Sequence, residues 1–245
     1  MQPWRKIRGQ DARLLLIADH ASNAVPTDID LGIGRSLLDS HIAVDLGVRS
    51  LAQALCARLG CPAILGAVSR LVIDFNREEE APHVVPIASD GQGIPGNWIG
   101  DDKRRERVDR YWRPYHDHIA ARITQSRPAM LISLHSFTPR LETQPEHERP
   151  WELGIIYNDD DRSPRVAIPL LEAAGVIVGD QLPYSGKLLN ATMNRHGEAN
   201  GIPYLGIEVR QDLIGDDDGV NRVADLLAPV IAQTAARVTG ECGAL

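Results

Sequence analysis

The sequence predicts an α/β sandwich, three layers deep, built on a mostly parallel mixed sheet. Three observations carry this. Short apolar runs that suit buried strands, such as Leu14–Ala18 and residues 129–134, stop abruptly at polar residues. Segments with apolar residues at helical spacing separate those runs, and strands alternating with helices make a parallel sheet with helices on its faces. The chain has 245 residues, 43% of them hydrophobic and 24% charged, enough for a real core and fitting one domain over 1–245.

The elements follow in order. Residues 13–18 form a strand that ends at Asp19-His20. Residues 36–59 carry apolar side chains at helical spacing (Leu37, Ile42, Leu46, Leu51, Leu55, Leu59) and stop at Gly60. Strands are expected at 62–68 and 71–75. Residues 78–100 are rich in Pro and Gly, and a loop that long in a compact domain suits a lid or binding loop. A helix over 101–125 should kink at Pro114. Further strands are expected at 129–134, 154–157, 176–178 and 204–209, with an irregular loop over 135–150 and helices at 163–174 and 221–238. Asp216-Asp217-Asp218 precedes the last helix, where acids suit the N-terminal dipole.

Charge and cysteine content narrow the function classes. The net charge of −7 and the lack of a Lys/Arg stripe argue against a general nucleic-acid partner. The run Lys103-Arg104-Arg105-Glu106-Arg107 is interrupted by acid and fits a solvated helix face. No apolar run approaches the roughly 18 residues of a membrane span, and the N-terminus lacks a secretory signal's apolar stretch. Cys56, Cys61 and Cys242 form no metal pattern and read as free thiols in a reducing compartment, so a cytoplasmic location is expected. No phosphate-binding glycine loop and no Gly-x-Ser-x-Gly elbow is present.

Chemistry-bearing residues gather where strands end, which is where open α/β sheets bind ligands. His20 closes one strand and His135 another, and two imidazoles at one sheet rim suit a zinc site that needs a third ligand. Asp45 is a candidate, placed by i, i+4 spacing on one helix face with His41; Asp19 and Asp74 are others. Glu208 sits inside an apolar strand on the same face as Arg210. That placement fits either an internal salt bridge or a catalytic carboxylate. Asn76-Arg77, at the end of Leu71-Val72-Ile73-Asp74-Phe75, can grip a carboxylate. Arg70, Arg195 and His196 add positive or switchable charge, whereas His83, His116, His118 and His147 read as surface residues.

Taken together, these segments resemble the N-formylglutamate amidohydrolase family, in its less characterised branch. The resemblance rests on Asp19-His20-Ala21-Ser22-Asn23-Ala24-Val25-Pro26, His41-Ile42-Ala43-Val44-Asp45 and Ser69-Arg70-Leu71-Val72-Ile73-Asp74-Phe75-Asn76-Arg77. It continues through Ile94-Pro95-Gly96-Asn97, Pro114-Tyr115-His116, Leu134-His135-Ser136-Phe137-Thr138-Pro139, His196-Gly197-Glu198 and Ile207-Glu208-Val209-Arg210-Gln211-Asp212-Leu213-Ile214. The match runs in order over nearly the whole chain.

The resemblance implies a phosphorylase/hydrolase-like sandwich related to zinc carboxypeptidases and aminoacylases. It also implies one divalent metal, zinc foremost, and hydrolysis of an N-formyl or other short N-acyl group from an acidic amino acid such as glutamate. His20 and His135 match the histidine ligands, Glu208 the catalytic glutamate, and Asn76-Arg77 the pair that holds the substrate's α-carboxylate. Zinc carboxypeptidases use His-x-x-Glu, but the fourth position here is Asn23, so the third ligand is Asp45, with Asn23 as the alternative. Arg70, Arg195 or Arg210 would stabilise the oxyanion or take a side-chain carboxylate. A carboxypeptidase or amidase acting on small peptides or peptidoglycan fragments is the nearest alternative. A non-catalytic binding domain that has lost its metal is the alternative from another class.

Overall fold

A computed structural model describes residues 1–240, so Cys242 lies outside the described residues. The chain runs β1 (Trp4–Ile7), β2 (Leu14–Ala18), α1 (Arg35–Leu38), α2 (Val48–Leu59), β3 (Ala63–Gly66), β4 (Ala88–Ser89), β5 (Gln92–Gly93) and α3 (Asp101–Arg107). It continues through α4 (Arg113–Ser126), β6 (Met130–Phe137), β7 (Leu153–Ile156), α5 (Pro164–Ala173), β8 (Val178–Asp180), α6 (Ala191–His196), β9 (Tyr204–Arg210) and α7 (Asp217–Val238). A seven-stranded sheet has the order β1-β3-β2-β6-β9-β7-β8. The central pairs β3-β2, β2-β6 and β6-β9 are parallel, while β1-β3 and β7-β9 are antiparallel.

Apolar side chains cover both faces of this sheet, as its near-continuous apolar strands require. One face packs on α2, α5 and α7 through residues such as Leu51, Leu171 and Leu227. The other packs on α4, α6 and the long connections through Tyr115, Ile119 and Met193. Asp216 caps α7 by accepting the Gly219 N–H at 2.7 Å. No helix among the described residues is long and apolar enough to cross a membrane.

The helix expected over 36–59 is broken. α1 ends at Leu38, α2 starts at Val48, and the connection is irregular. Gly47 turns the chain into α2 at φ +79°, where a Cβ would stand 2.4 Å from the Ile214 carbonyl oxygen. Asp45 and His41 therefore do not share a helix face. Residues 71–75 form turns rather than a strand: the Ser69 hydroxyl accepts the Leu71 N–H at 3.2 Å, and Val72 donates to the Ser69 carbonyl at 2.9 Å. Leu71, Val72, Ile73 and Phe75 are wholly buried, so their apolar pattern reports burial, which a buried strand and a buried turn share.

Between α3 and α4, residues Val108–Trp112 make a π-helical turn, and Pro114 sits in the first turn of α4, where its missing N–H is harmless. Arg107 is buried, not solvated as expected; it donates to the Val72 carbonyl and to Asn97 Oδ1. The 78–100 segment folds into a β4-β5 hairpin flanked by 3₁₀ turns.

Candidate active site

The carboxyl ends of β2, β3, β6 and β9 converge on one cavity of about 290 Å³. His20 follows β2 directly. His135 lies on β6 in register with Glu208 on β9, so both side chains leave the same face of the sheet. Asp45 reaches this point from the irregular stretch before α2, where its N–H donates to the His20 carbonyl at 3.0 Å.

His20, Asp45 and His135 are buried, and each offers a ligand atom within 4.8 Å of the others. Asp45 Oδ2 lies 2.8 Å from His135 Nδ1 and 3.4 Å from His20 Nδ1. Ligand atoms set tetrahedrally at about 2.1 Å from a zinc ion stand about 3.4 Å from one another, so this donor set fits a metal after small adjustments. Buried atoms without a hydrogen bond, His20 Nδ1, His135 Nε2, Asp19 Oδ2 and Glu208 Oε2, point the same way.

A ring of carboxyl groups stands behind the imidazoles. His20 Nε2 donates to Asp74 Oδ1 at 2.7 Å, which leaves Nδ1 as the lone-pair nitrogen when the ring is neutral. His135 Nε2 faces Asp19 Oδ2 at 3.7 Å, and Tyr115 donates its hydroxyl to Asp19 Oδ1 at 2.8 Å. Arg70 bridges Asp45 at 3.3 Å and Asp74 at 2.9 Å.

The electrostatics follow from burial and pairing. Burial pushes Asp45 up, but His20 and His135 outweigh it and hold the carboxyl well below its usual range. Asp74 is likewise lowered, burial being overcome by Arg70 and then His20. Burial pulls His135 down, but the bond and charge of Asp45 bring it up to about 9. Glu208 moves the other way: desolvation dominates, offset in part by His135, and its carboxyl rises to about 7.

Around this centre the cavity is lined by Arg70, Asn76, Arg77, Tyr184 and residues of two loops. Asn76 is anchored at both ends: its N–H donates to Asp74 Oδ1 at 3.0 Å, and its Oδ1 accepts the Thr192 N–H at 3.1 Å. That bond fixes the amide and leaves its two Nδ2 hydrogens for the cavity. The Arg77 carbonyl accepts from Trp112 Nε1 at 3.0 Å, while its guanidinium has no ion pair among the described residues. Asp90, at the tip of the β4-β5 hairpin, accepts from His41 at 2.9 Å, from the Glu142 and Thr143 N–H groups, and from the Thr143 hydroxyl. The hairpin is thus tied across the cavity to the loop that follows β6.

Other expected residues stand elsewhere. Asn23 turns away from the imidazoles and donates its amide to Asp39 at 2.7 Å. Arg195 lies over the Trp112 ring at 4.6 Å, and His196 bonds His116 at 2.9 Å, both behind the Asn76 segment rather than in the cavity. His116 is buried, not superficial, and its Nε2 donates to the Phe75 carbonyl at 3.0 Å. His118 is half-buried, its ring stacked on Trp4. Arg210 pairs with Asp212 at 2.8 Å rather than with Glu208, because it is the last residue of β9 and the chain turns there.

Two contributors escape sequence reasoning. Tyr184 enters the cavity on the turn after β8, with its oxygen accepting from Arg149 at 3.0 Å, and no local signal marks it. Asp90 could have been suspected from Ser89-Asp90-Gly91, a turn signal inside the long loop.

A family model described as N-formylglutamate amidohydrolase matches residues 12–215. The structure of gene product Atu2144 from Agrobacterium tumefaciens is 26% identical, with a TM-score of 0.90, covering 97% of this chain and 96% of its own. N-formylglutamate amidohydrolase from Ralstonia eutropha JMP134 is 21% identical, with a TM-score of 0.69, covering 98% of this chain and 100% of its own, and shares the fold. No curated protein matches the sequence.

Proposed function

The chain belongs to the N-formylglutamate amidohydrolase family and is a hydrolase of amide bonds, and from that premise we propose that it removes a formyl or other short acyl group from the nitrogen of a free amino acid. The observation that carries the reading is the pairing of His135 with Glu208 across β6 and β9, beside His20 and Asp45. A cavity of about 290 Å³ sits at the lower edge of the usual 300–1,000 Å³ for small-molecule sites, which favours an acyl amino acid over a peptide.

His20, Asp45 and His135 would hold one divalent cation, with zinc the best match to two imidazoles and a carboxylate; when bound, it supplies Lewis-acid polarisation of the scissile carbonyl. Glu208 takes a proton from the attacking water and returns it to the departing amine nitrogen. A carboxyl near 7 is suited to both halves of that transfer. Asn76 and Arg77 clamp the α-carboxylate by charge-assisted hydrogen bonds, which sets the acyl carbon against Glu208. Asp74 orients the His20 ring, Arg70 keeps Asp74 ionised, and the two imidazoles do the same for Asp45.

The test is formate or acetate release from N-formyl and N-acetyl amino acids by metal-loaded enzyme, run beside Glu208→Gln. Turnover by the parent and its loss in a variant that keeps its metal is the expected pair of results. Hydrolysis of dipeptides alone would move the assignment to a peptidase.

A further inference from the structure

We propose that His116 and His196 are positioning residues for the carboxylate clamp: a buried pair of neutral imidazoles that presents one N–H to the backbone carbonyl just before Asn76, and so sets where Asn76 and Arg77 stand in the cavity. The inference rests on the clamp role given to Asn76-Arg77 above.

The contacts dictate where the protons sit. A carbonyl oxygen only accepts, so His116 Nε2, 3.0 Å from the Phe75 oxygen, carries a proton. In a neutral ring Nδ1 then holds the lone pair, and His196 Nε2, 2.9 Å away, must be the donor. The surroundings keep both rings neutral. Burial first, then the charge of Arg195, draws His196 down to about 4, and burial with the facing ring draws His116 well below its usual range. Accepting a hydrogen bond at Nδ1 polarises the His116 ring and strengthens what Nε2 donates.

Two helices brace the clamp in matching pairs. Trp112, at the end of the π-helical turn, and His116 on α4 stand four residues apart and share one helix face. Trp112 Nε1 donates to the Arg77 carbonyl at 3.0 Å and His116 to the Phe75 carbonyl, so these two rings hold the carbonyls on either side of Asn76. Thr192 and His196 repeat the spacing on α6. Thr192 gives its N–H to Asn76 Oδ1 at 3.1 Å and its hydroxyl to the Phe75 carbonyl at 3.3 Å, while His196 backs His116. From the other side, Asp74 Oδ1 accepts the Asn76 N–H at 3.0 Å and the Asp74 carbonyl accepts the Arg77 N–H at 3.3 Å. Without the His116 N–H, the Phe75 carbonyl keeps only the longer bond from Thr192, and the peptide that carries Asn76 is free to rotate. The His116 ring lies against Trp112 at 4.1 Å and is stacked on His196 at 5.2 Å, so a phenylalanine fills its space without supplying the N–H.

Three variants and two substrates decide this, with metal-loaded enzyme. His116→Phe should raise KM for an N-formyl amino acid about tenfold, with a smaller loss in kcat. On the α-amide of the same substrate, which offers the clamp no carboxylate, it should match the parent. His116→Gln, whose amide can donate to Phe75 and accept from His196, should bring KM back to within about threefold of the parent. His196→Phe leaves His116 without its donor and should raise KM by less; an unchanged KM there would strike His196 from the pair. A role confined to packing predicts equal losses on acid and amide and no advantage of glutamine over phenylalanine, and that result would overturn the inference while leaving the hydrolase reading intact. Nitrogen NMR of the histidine-labelled parent tests the pair without relying on any variant's fold. Both rings should be neutral at pH 7 with the proton on Nε2, and a His116 that is charged or protonated on Nδ1 would also overturn the inference. Turnover of no N-acyl amino acid by the parent would remove the clamp reading and this inference with it.

Discussion

His135 on β6 and Glu208 on β9 occupy the same register position on neighbouring parallel strands, yet burial drives their proton affinities in ways that pairing corrects for only one of them. The histidine has Asp45 at 2.8 Å and rises to about 9. The glutamate has an unbonded Oε2 and also rises, to about 7, because nothing but the neighbouring cations offsets its desolvation. A paired base and an unpaired acid side by side are what separates a ligand from a proton carrier.

Glu208→Gln should cut kcat by about 10²–10⁴-fold while the variant still binds metal. It should also be the more stable protein above neutral pH. The folded carboxyl sits near 7 and the unfolded one near 4.5, so the folded state holds a proton that the unfolded state has lost. Stability contributed by the neutral acid is present below the unfolded value and is lost as pH rises through 7. Replacing the acid by its neutral isostere removes that loss, up to about 3 kcal/mol at pH 8. Urea melts of metal-free parent and variant at pH 5 and pH 8 would check this, with the gap opening only at the higher pH.

Metal uptake should weaken as pH falls. His135 keeps its proton up to about 9 in the metal-free protein, and His20 is also raised, its carboxylate neighbours Asp74 and Asp45 outweighing burial and Arg70. A cation must displace those protons. Affinity should therefore drop by about tenfold per pH unit for each proton expelled, approaching a hundredfold where both rings are charged. Competition with a chromogenic chelator at pH 6, 7 and 8 reads this directly. A flat profile would mean that the two rings do not bind the ion.

Much of this site was legible in the chain, for physical reasons that differ residue by residue. His20 and His135 close apolar runs and Glu208 lies near the end of one, and a parallel sheet sends the carboxyl ends of such strands to one edge. Asp45 was legible as a residue but not as geometry, because helical spacing continues through Ile42 and Leu46 while the backbone leaves the helix after Leu38 and re-enters it only past Gly47. The segment before Asn76 read as a strand because burial, not pleating, dictates its composition. β1 and α6 were not anticipated: β1 is a short edge strand rich in charge, and α6 is one and a half turns long. Tyr184 and Asp90 are placed by loops that meet only in the folded chain, and no periodicity records such a meeting.

Arg77→Met should raise KM for N-acyl amino acids and lower kcat/KM by about a hundredfold, with a smaller change in kcat. The guanidinium is half-buried and has no partner to strand, so the fold should tolerate its loss. An α-amidated substrate should be turned over equally by parent and variant. If Arg77→Met also depresses that reaction, the residue acts on the reacting carbonyl rather than on the carboxylate.

Asp74→Asn should lower metal affinity by about 10–100-fold without removing a ligand. Asp74 accepts from His20 Nε2 at 2.7 Å, from Arg70 at 2.9 Å and from the Asn76 N–H at 3.0 Å, so it links the metal cluster to the carboxylate clamp. An asparagine oxygen in the place of Oδ1 can keep the His20 and Asn76 bonds, but the amide loses the Arg70 pair and carries no charge to hold the imidazole's orientation. Titration with excess metal should restore most of kcat, and failure to do so would place the defect in the Asn76 segment.

Gly154 provides the last test, because it lies opposite Glu208 on the antiparallel strand β7. A Cβ there would stand 2.3 Å from the Leu182 carbonyl oxygen and 3.2 Å from Glu208 Cβ. The first of these is backbone in a turn that Gln181 braces, donating to the Tyr157 carbonyl at 2.6 Å and accepting the Gly186 N–H at 2.8 Å. The turn cannot yield locally, and it carries Tyr184 into the cavity. Gly154→Ala should cost about 1–3 kcal/mol of stability and displace both Glu208 and Tyr184. Gly179→Ala is the control: its Cβ would press on the same Leu182 carbonyl at 2.5 Å, with Trp151 rather than Glu208 as the next neighbour. Both variants should melt earlier to a similar extent. Only Gly154→Ala should lose kcat/KM beyond what the shifted turn accounts for, and the difference between the two measures how closely Glu208 must be held.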